Sequence, residues 1–167
     1  ETGIYATGSI VKLVSSSIDS NIAYWGAGLY SEDSGFDIER SNIRFNLAYI
    51  EGGAIYQNGN TMDVTESAIT SNTGLDFGGA LVCYMGLLSL DRVTIAGNSS
   101  NYGSAFNMRE AAITISNSIV WENGENTVYS SSSSQASMIS IGYTNFFGGE
   151  SYLSSNPNII LEWGEGN

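Results

Sequence analysis

The chain has 167 residues, 42% of them hydrophobic, with 5 Lys+Arg against 17 Asp+Glu, no His and a formal net charge of -12. The apolar share is enough for one packed domain rather than a disordered tail, and the charge excludes both a phosphate-binding face and a polybasic membrane patch. No apolar run approaches the roughly 20 residues that cross a bilayer, and the single Cys83 excludes an internal disulfide and a thiolate metal cage.

In chain order the sequence repeats itself. Ile4-Tyr5 stands in mid-unit, 25 residues before Leu29-Tyr30. Val11 and Leu13, Ser16, Ile18 and Asn21 follow, and the unit closes on Gly26-Ala27-Gly28-Leu29. The second unit runs Phe36, Ile38, Ser41, Ile43, Asn46 and Gly52-Gly53-Ala54-Ile55; the third runs Met62, Val64, Ser67, Ile69, Asn72 and Gly78-Gly79-Ala80-Leu81. The fourth has Leu88, Leu90, Val93 in place of serine, Ile95, Asn98 and Gly103-Ser104-Ala105-Phe106. Ile113, Ile115, Ser118, Val120 and Asn123 make a fifth, and Ile139 and Ile141 mark a degraded sixth. Asn21, Asn46, Asn72, Asn98 and Asn123 are separated by 25, 26, 26 and 25 residues.

A period of this length announces a repeat architecture. Within each unit the apolar residues alternate, as in "FDI" (36–38) and "LSL" (88–90), which is the period of a strand and not of a helix. At about 3.3 Å per residue one unit has a contour near 80 Å, the length of one turn of a three-sided coil whose successive turns stack as parallel strands. The expected fold is therefore all-β: a single-stranded, right-handed parallel β-helix of about six coils, occupying residues 1–167 as one domain. One period apart means one coil above, so the aliphatic columns fill a continuous core. The Asn column forms an amide ladder, because asparagine carries both donors and acceptors on one short side chain. The glycines serve the bends.

The stretches "SNIRFNLAYIEGGAIY" (41–56), "SAITSNTGLDFGGAL" (67–81), "VTIAGNSSNYGSAF" (93–106) and "ISNSIVWENG" (115–124) resemble right-handed parallel β-helix proteins of the pectin-lyase-like kind. They are especially similar to the repeats of bacterial polymorphic outer membrane proteins and related secreted surface proteins, with Ile-x-x-Asn where those have Phe-x-x-Asn. The resemblance spans roughly residues 4–145. It implies an extracellular role, as adhesin, passenger domain or polysaccharide-active enzyme.

The register also predicts charge pairing between coils: Lys12 over Asp37, Asp19 over Arg44, and Arg40, Glu66 and Arg92 in one column of alternating sign. Arg109, beside Glu110, has no acid in register and no special context. Glu51 and Asp76 stand just before successive Gly pairs and are read as facing each other across one rung. They, or Glu32 with Asp33, are the candidates for carboxylate chemistry or for Ca²⁺, the one cofactor considered; the reading adopted is loop acids, no catalytic residue and no metal. Tyr5, Tyr30 and Tyr56 follow the inward aliphatic of successive units and so point outward as a stripe. Tyr24 and Tyr49, with Trp25 adjacent, form a second aromatic group. These six are the candidate ligand-binding residues, since exposed rings about 5 Å apart stack on sugars or on a partner protein. Asn98-Ser99-Ser100 is a glycosylation sequon laid on a ladder residue.

Residues 130–134 are all serine, and 124–137 is expected to protrude as a loop. The chain starts at Glu1 rather than Met, which is read as a processed or excised piece. Neither end carries an evident capping helix, so the solenoid is expected to continue in a longer chain or to associate end to end. Few lysines and much Ser, Asn, Gly and Tyr point to a secreted or cell-surface protein. The expected function is a non-catalytic structural or adhesive segment contacting glycans or surface proteins, with no nucleic acid and no membrane insertion. The alternative is a fragment of a polysaccharide-active lyase or glycoside hydrolase.

Overall fold

The computed structural model describes residues 1–124, 126–131, 135–153 and 156–167. Alternating apolar residues become short strands, and every strand pairs in parallel with the strand one repeat away, giving a β-solenoid of about six turns. The first sheet has six strands: Ile4–Thr7, Leu29–Glu32, Ile55–Asn58, Leu81–Tyr84, Phe106–Arg109 and Val128–Ser130. The second has seven, beginning with Ile10–Val14 and ending with Ile159–Trp163. The third runs over six strands from Ser17–Asp19 to Asn145–Phe146. The coil was expected to have three sides. It has a fourth, a three-stranded sheet of Ile22–Trp25, Leu47–Glu51 and Thr73–Gly74.

The corners explain the repeat. Each is turned at a residue with positive φ, joined by Asn60 beside Gly59 and by Gly149 beside Gly148, and these residues form four columns. In the second coil they are Asp33, Arg40, Phe45 and Gly52; in the third, Gly59, Glu66, Ser71 and Gly78. The first three columns tolerate side chains because backbone does not crowd them: an added Cβ would meet nothing within 4 Å at Gly8, and at Gly59 its close neighbour is the Asp33 carboxylate, a side chain that can move. The fourth column is Gly26, Gly52, Gly78 and Gly103. There a Cβ on Gly52 would lie 2.7 Å from the Ile55 carbonyl oxygen, so sterics and φ both demand glycine. The second and third corners lie seven and five residues after the one before, coil after coil. Through these coils the fourth side varies: six residues from Ser20 to Gly26, seven from Phe45 to Gly52 and from Ser71 to Gly78, six from Gly97 to Gly103. The register shift between Ala23 and Trp25 against Ala48 and Glu51 absorbs the difference.

Inside, the aliphatic columns are continuous. Ile18, Ile43, Ile69, Ile95 and Val120 stack in the third sheet; Phe36, Met62, Leu88, Ile113 and Ile139 in the second, nearly all fully buried. Burial of this apolar surface, at about 25 cal/mol per Å² removed from water, is the main stabilising term. Polar columns sit only where a corner leaves backbone groups without partners. Asn46 Nδ2 donates to Asn72 Oδ1 (2.9 Å), and Asn72 Oδ1 also accepts the Asn46 backbone N–H (3.0 Å); Asn21, Asn72 and Asn98 repeat the pattern upward to Asn123. The second Nδ2 hydrogen goes to carbonyls such as Ile18 O and Ile43 O. A serine column does the same at the preceding corner, with Ser67 Oγ accepting from the Ser41 N–H (2.9 Å) and donating to Thr65 O (2.7 Å).

The segment expected to protrude at 124–137 partly belongs to the wall. Val128–Ser130 pairs in register with Phe106–Met108, because Val128 continues the Phe106 column; residues 132–134 lie outside the described residues. A short helix at Gly149–Leu153 tucks Leu153 against the core, where no helix was expected. Among the described residues no helix is long and apolar enough to cross a membrane.

Candidate functional site

The first and fourth sheets meet at the glycine corner, and outward side chains on either side of it form two facing rows. On the first sheet, Tyr5 pairs in register with Tyr30, Tyr30 with Tyr56, Tyr56 with Val82, Val82 with Asn107 and Asn107 with Tyr129. On the fourth side, Trp25 pairs with Glu51, Glu51 with Phe77 and Phe77 with Tyr102. The rings of Tyr5, Tyr30 and Tyr56 stack 5.0 Å apart with 6° between successive planes, one coil spacing per ring. At the far end Tyr129 reaches across to Tyr102 (5.1 Å) and Phe77 (6.0 Å).

At the near end the two rows enclose a cleft of about 520 Å³ lined by Glu1, Thr2, Tyr5, Ile22, Ala23, Tyr24, Trp25, Tyr30 and Tyr49. Five of the six aromatic residues singled out from the sequence therefore share one site, and Tyr56 lies one rung on. Tyr24 meets Trp25 at 6.0 Å and 45° and Tyr49 at 5.5 Å and 53°. Rings at such angles do not spend their faces on one another. Tyr5 is 62% exposed and Tyr24 63%.

The middle of the groove is polar. Asn107 Nδ2 donates to the Tyr84 hydroxyl (3.0 Å), and that hydroxyl donates to the Glu51 carboxylate. The Arg109 guanidinium lies over the Tyr84 ring, 4.3 Å from its centre. Burial pushes the Glu51 carboxyl above the usual glutamate range, and Asp76 adds to the push, while the Tyr84 hydrogen bond and Arg109 oppose it. Burial also raises the Tyr84 phenol, with Glu51 second, and lifts Tyr56 to about 12. Asn107 Oδ1 is buried without a hydrogen-bond partner among the described residues.

Several sequence expectations need correction here. Glu51 and Asp76 do not oppose each other across a rung: the seven-residue fourth side places Phe77 over Glu51, and Asp76 is one position off. Arg109 does have a context, in the Tyr84 ring and the Glu51 field. Arg40 pairs with its neighbour Glu39 instead of with Glu66; Glu66 pairs with Arg92 (3.3 Å), which also meets its own neighbour Asp91. Lys12–Asp37 and Arg44–Asp19 pair between coils. Glu32 ends a first-sheet strand and Asp33 turns the next corner. Among the described residues no three of His, Cys, Asp and Glu gather in an arrangement suited to a metal. Cys83 is buried, its thiol raised to about 12. Asn98, the sequon residue, is 1% exposed.

Tyr84, Asn107 and Arg109 were missed as a cluster. Their signal was present: Arg109 was the one cation without an acid in register, and Tyr84 falls two residues beyond the Tyr56 column, on the same outward face. The site thus offers a row of rings at one coil spacing, a tilted aromatic cleft beside it, and a Glu–Tyr–Asn–Arg network farther along. No protein family, curated protein or solved structure matches the chain.

Proposed function

We propose that this chain is a non-catalytic structural and adhesive β-solenoid segment of a secreted or cell-surface protein, akin to the pectin-lyase-like surface repeats, and that it binds glycans in the aromatic cleft. The observation that carries the reading is the lining of that cleft: five rings from two sheets, three of them tilted and about half exposed, around a space of about 520 Å³. A pyranose ring presents a flat apolar C–H face that stacks on such surfaces, and a rigid coil spacing fixes the rings before the ligand arrives, which lowers the ordering cost of binding.

The test is a glycan array followed by calorimetry on the hits, with Tyr30→Ala and Tyr49→Ala alongside the parent. Losing one stacked ring is expected to weaken binding about tenfold or more, from about 1–3 kcal/mol per ring, with the circular dichroism unchanged. Binding that survives both substitutions removes the cleft from consideration.

A second reading, a fragment of a polysaccharide-active enzyme, draws on one observation: Glu51 is half-buried, held above the ordinary glutamate range and hydrogen-bonded to Tyr84, which suits a general acid. Turnover of any glycan that binds, abolished in Glu51→Gln with binding retained, would favour it.

A further inference from the structure

The groove contains a cation held in an aromatic setting, and it is the protein's own. Arg109 sits over the Tyr84 ring at 4.3 Å with the Glu51 carboxylate beside the same phenol, so ring, cation and carboxylate are all present. The near end of the groove has two of these three parts. Its rings are Tyr24, Trp25 and Tyr49, with the Tyr5–Tyr30 stack opposite. Its acids are Glu1, which lines the cleft, and Glu32, which shares the outward face of the strand with Tyr30 and lies close enough to raise that phenol, after burial. No lining side chain is cationic, and the one positive group at the cleft, the Glu1 α-ammonium, is bonded to the Ile22 carbonyl. The chain's five cationic side chains are committed: Lys12, Arg40, Arg44 and Arg92 to acids, and Arg109 to Tyr84.

Resting on the glycan reading above, we infer that the cleft selects an amine-bearing glycan, whose protonated amino group takes between Tyr24, Trp25 and Tyr49 the place that Arg109 takes over Tyr84. A ring face attracts a cation through its quadrupole, and the attraction grows where the ligand is partly desolvated. The acids around the cleft and the net charge of -12 add attraction for ammonium and repel uronates. Neutral sugars gain only the stacking.

The experiment titrates the folded chain with two oligomers of one backbone, a tetramer of glucosamine at a mildly acidic pH where its amines are protonated and the tetramer of N-acetylglucosamine, each by calorimetry at physiological ionic strength. The glucosamine tetramer is expected to bind at least about tenfold more tightly, the size of one partly desolvated cation–ring contact. Tyr49→Ala should remove most of that advantage, and Glu32→Gln should weaken the glucosamine tetramer while leaving its N-acetylated counterpart unchanged. Equal or tighter binding of the N-acetylated tetramer overturns the amine preference and leaves the glycan reading standing. A glucosamine preference that Tyr49→Ala does not reduce is attraction to the acidic surface as a whole and also overturns it. If these tetramers and every glycan on the array fail to bind, both readings fall together.

Discussion

A single ladder asparagine does three tasks at once. Asn72 Oδ1 accepts both the backbone and the side-chain N–H of Asn46, and its own Nδ2 donates to Asn98 Oδ1, Ile43 O and Thr70 O. Replacing it leaves buried groups in two neighbouring coils without partners, at about 1–3 kcal/mol for each group that water does not reach. Asn72→Ala is therefore expected to lower unfolding stability by about 3 kcal/mol or more, read as a shift in urea midpoint at constant slope. Alanine at the exposed Asn101 should stay within about 0.5 kcal/mol. This column was legible in the sequence because it recurs with residue type and spacing together. The Glu51–Tyr84–Asn107–Arg109 network was legible only in its Tyr84–Arg109 step, one period apart in a single column, because Glu51 and Asn107 stand in other columns and join through side-chain reach.

Among elements, the corners divide into tolerant and intolerant. A Cβ on Gly53 would lie 2.4 Å from the Gly79 carbonyl oxygen and 2.5 Å from the Thr73 carbonyl carbon. Both are backbone, so the spacing between coils would have to open. Gly142 has nothing within 4 Å of such a Cβ. Gly53→Ala is expected to cost about 2–4 kcal/mol, in the range of overpacked sites, while Gly142→Ala should be neutral or slightly stabilising through the unfolded chain; thermal unfolding of the pair decides it. Strand identity and register were readable from alternation and period, since a one-residue slip would turn the whole core outward. The fourth sheet was not readable. It is short, it carries few aliphatics, and its length changes from coil to coil, so periodic counting passes over it; the rung assigned to Glu51 and Asp76 went wrong for that reason.

At the scale of the whole molecule, acidity sets the pH response. Seventeen acids face five cations, and this self-repulsion weakens as carboxylates take up protons. Glu51, whose folded carboxyl is raised by burial, acts in the same direction: its contribution is present when it is protonated and is lost as pH rises from the ordinary glutamate range through its raised value. Asp19 and Asp91 act oppositely. The Arg44 hydrogen bond lowers the first, and hydrogen bonds from Asn117 and Ser116 lower the second, so their stabilisation is present above the ordinary aspartate range and is lost as pH falls through their depressed values. The thermal midpoint is accordingly expected to peak at mildly acidic pH, declining toward neutrality and declining again toward strong acid. Glu51→Gln should flatten the neutral limb, and Asp91→Asn the acid limb. A midpoint that rises monotonically to pH 8 would contradict this balance.

The six-or-seven-residue side has a wider consequence. Through the first five coils every other stretch between corners keeps its length, and only in the last turn does the step from the first sheet to the second grow, from seven residues (Phe106 to Ile113) to eleven (Val128 to Ile139). On the aromatic side the stack already accepts such a change between adjacent turns. Heritable insertions, or foreign peptides grafted by design, therefore have a natural place to enter along most of the solenoid, and it is the margin of the groove: the lining of the cleft can diversify while the supporting stack stays the same.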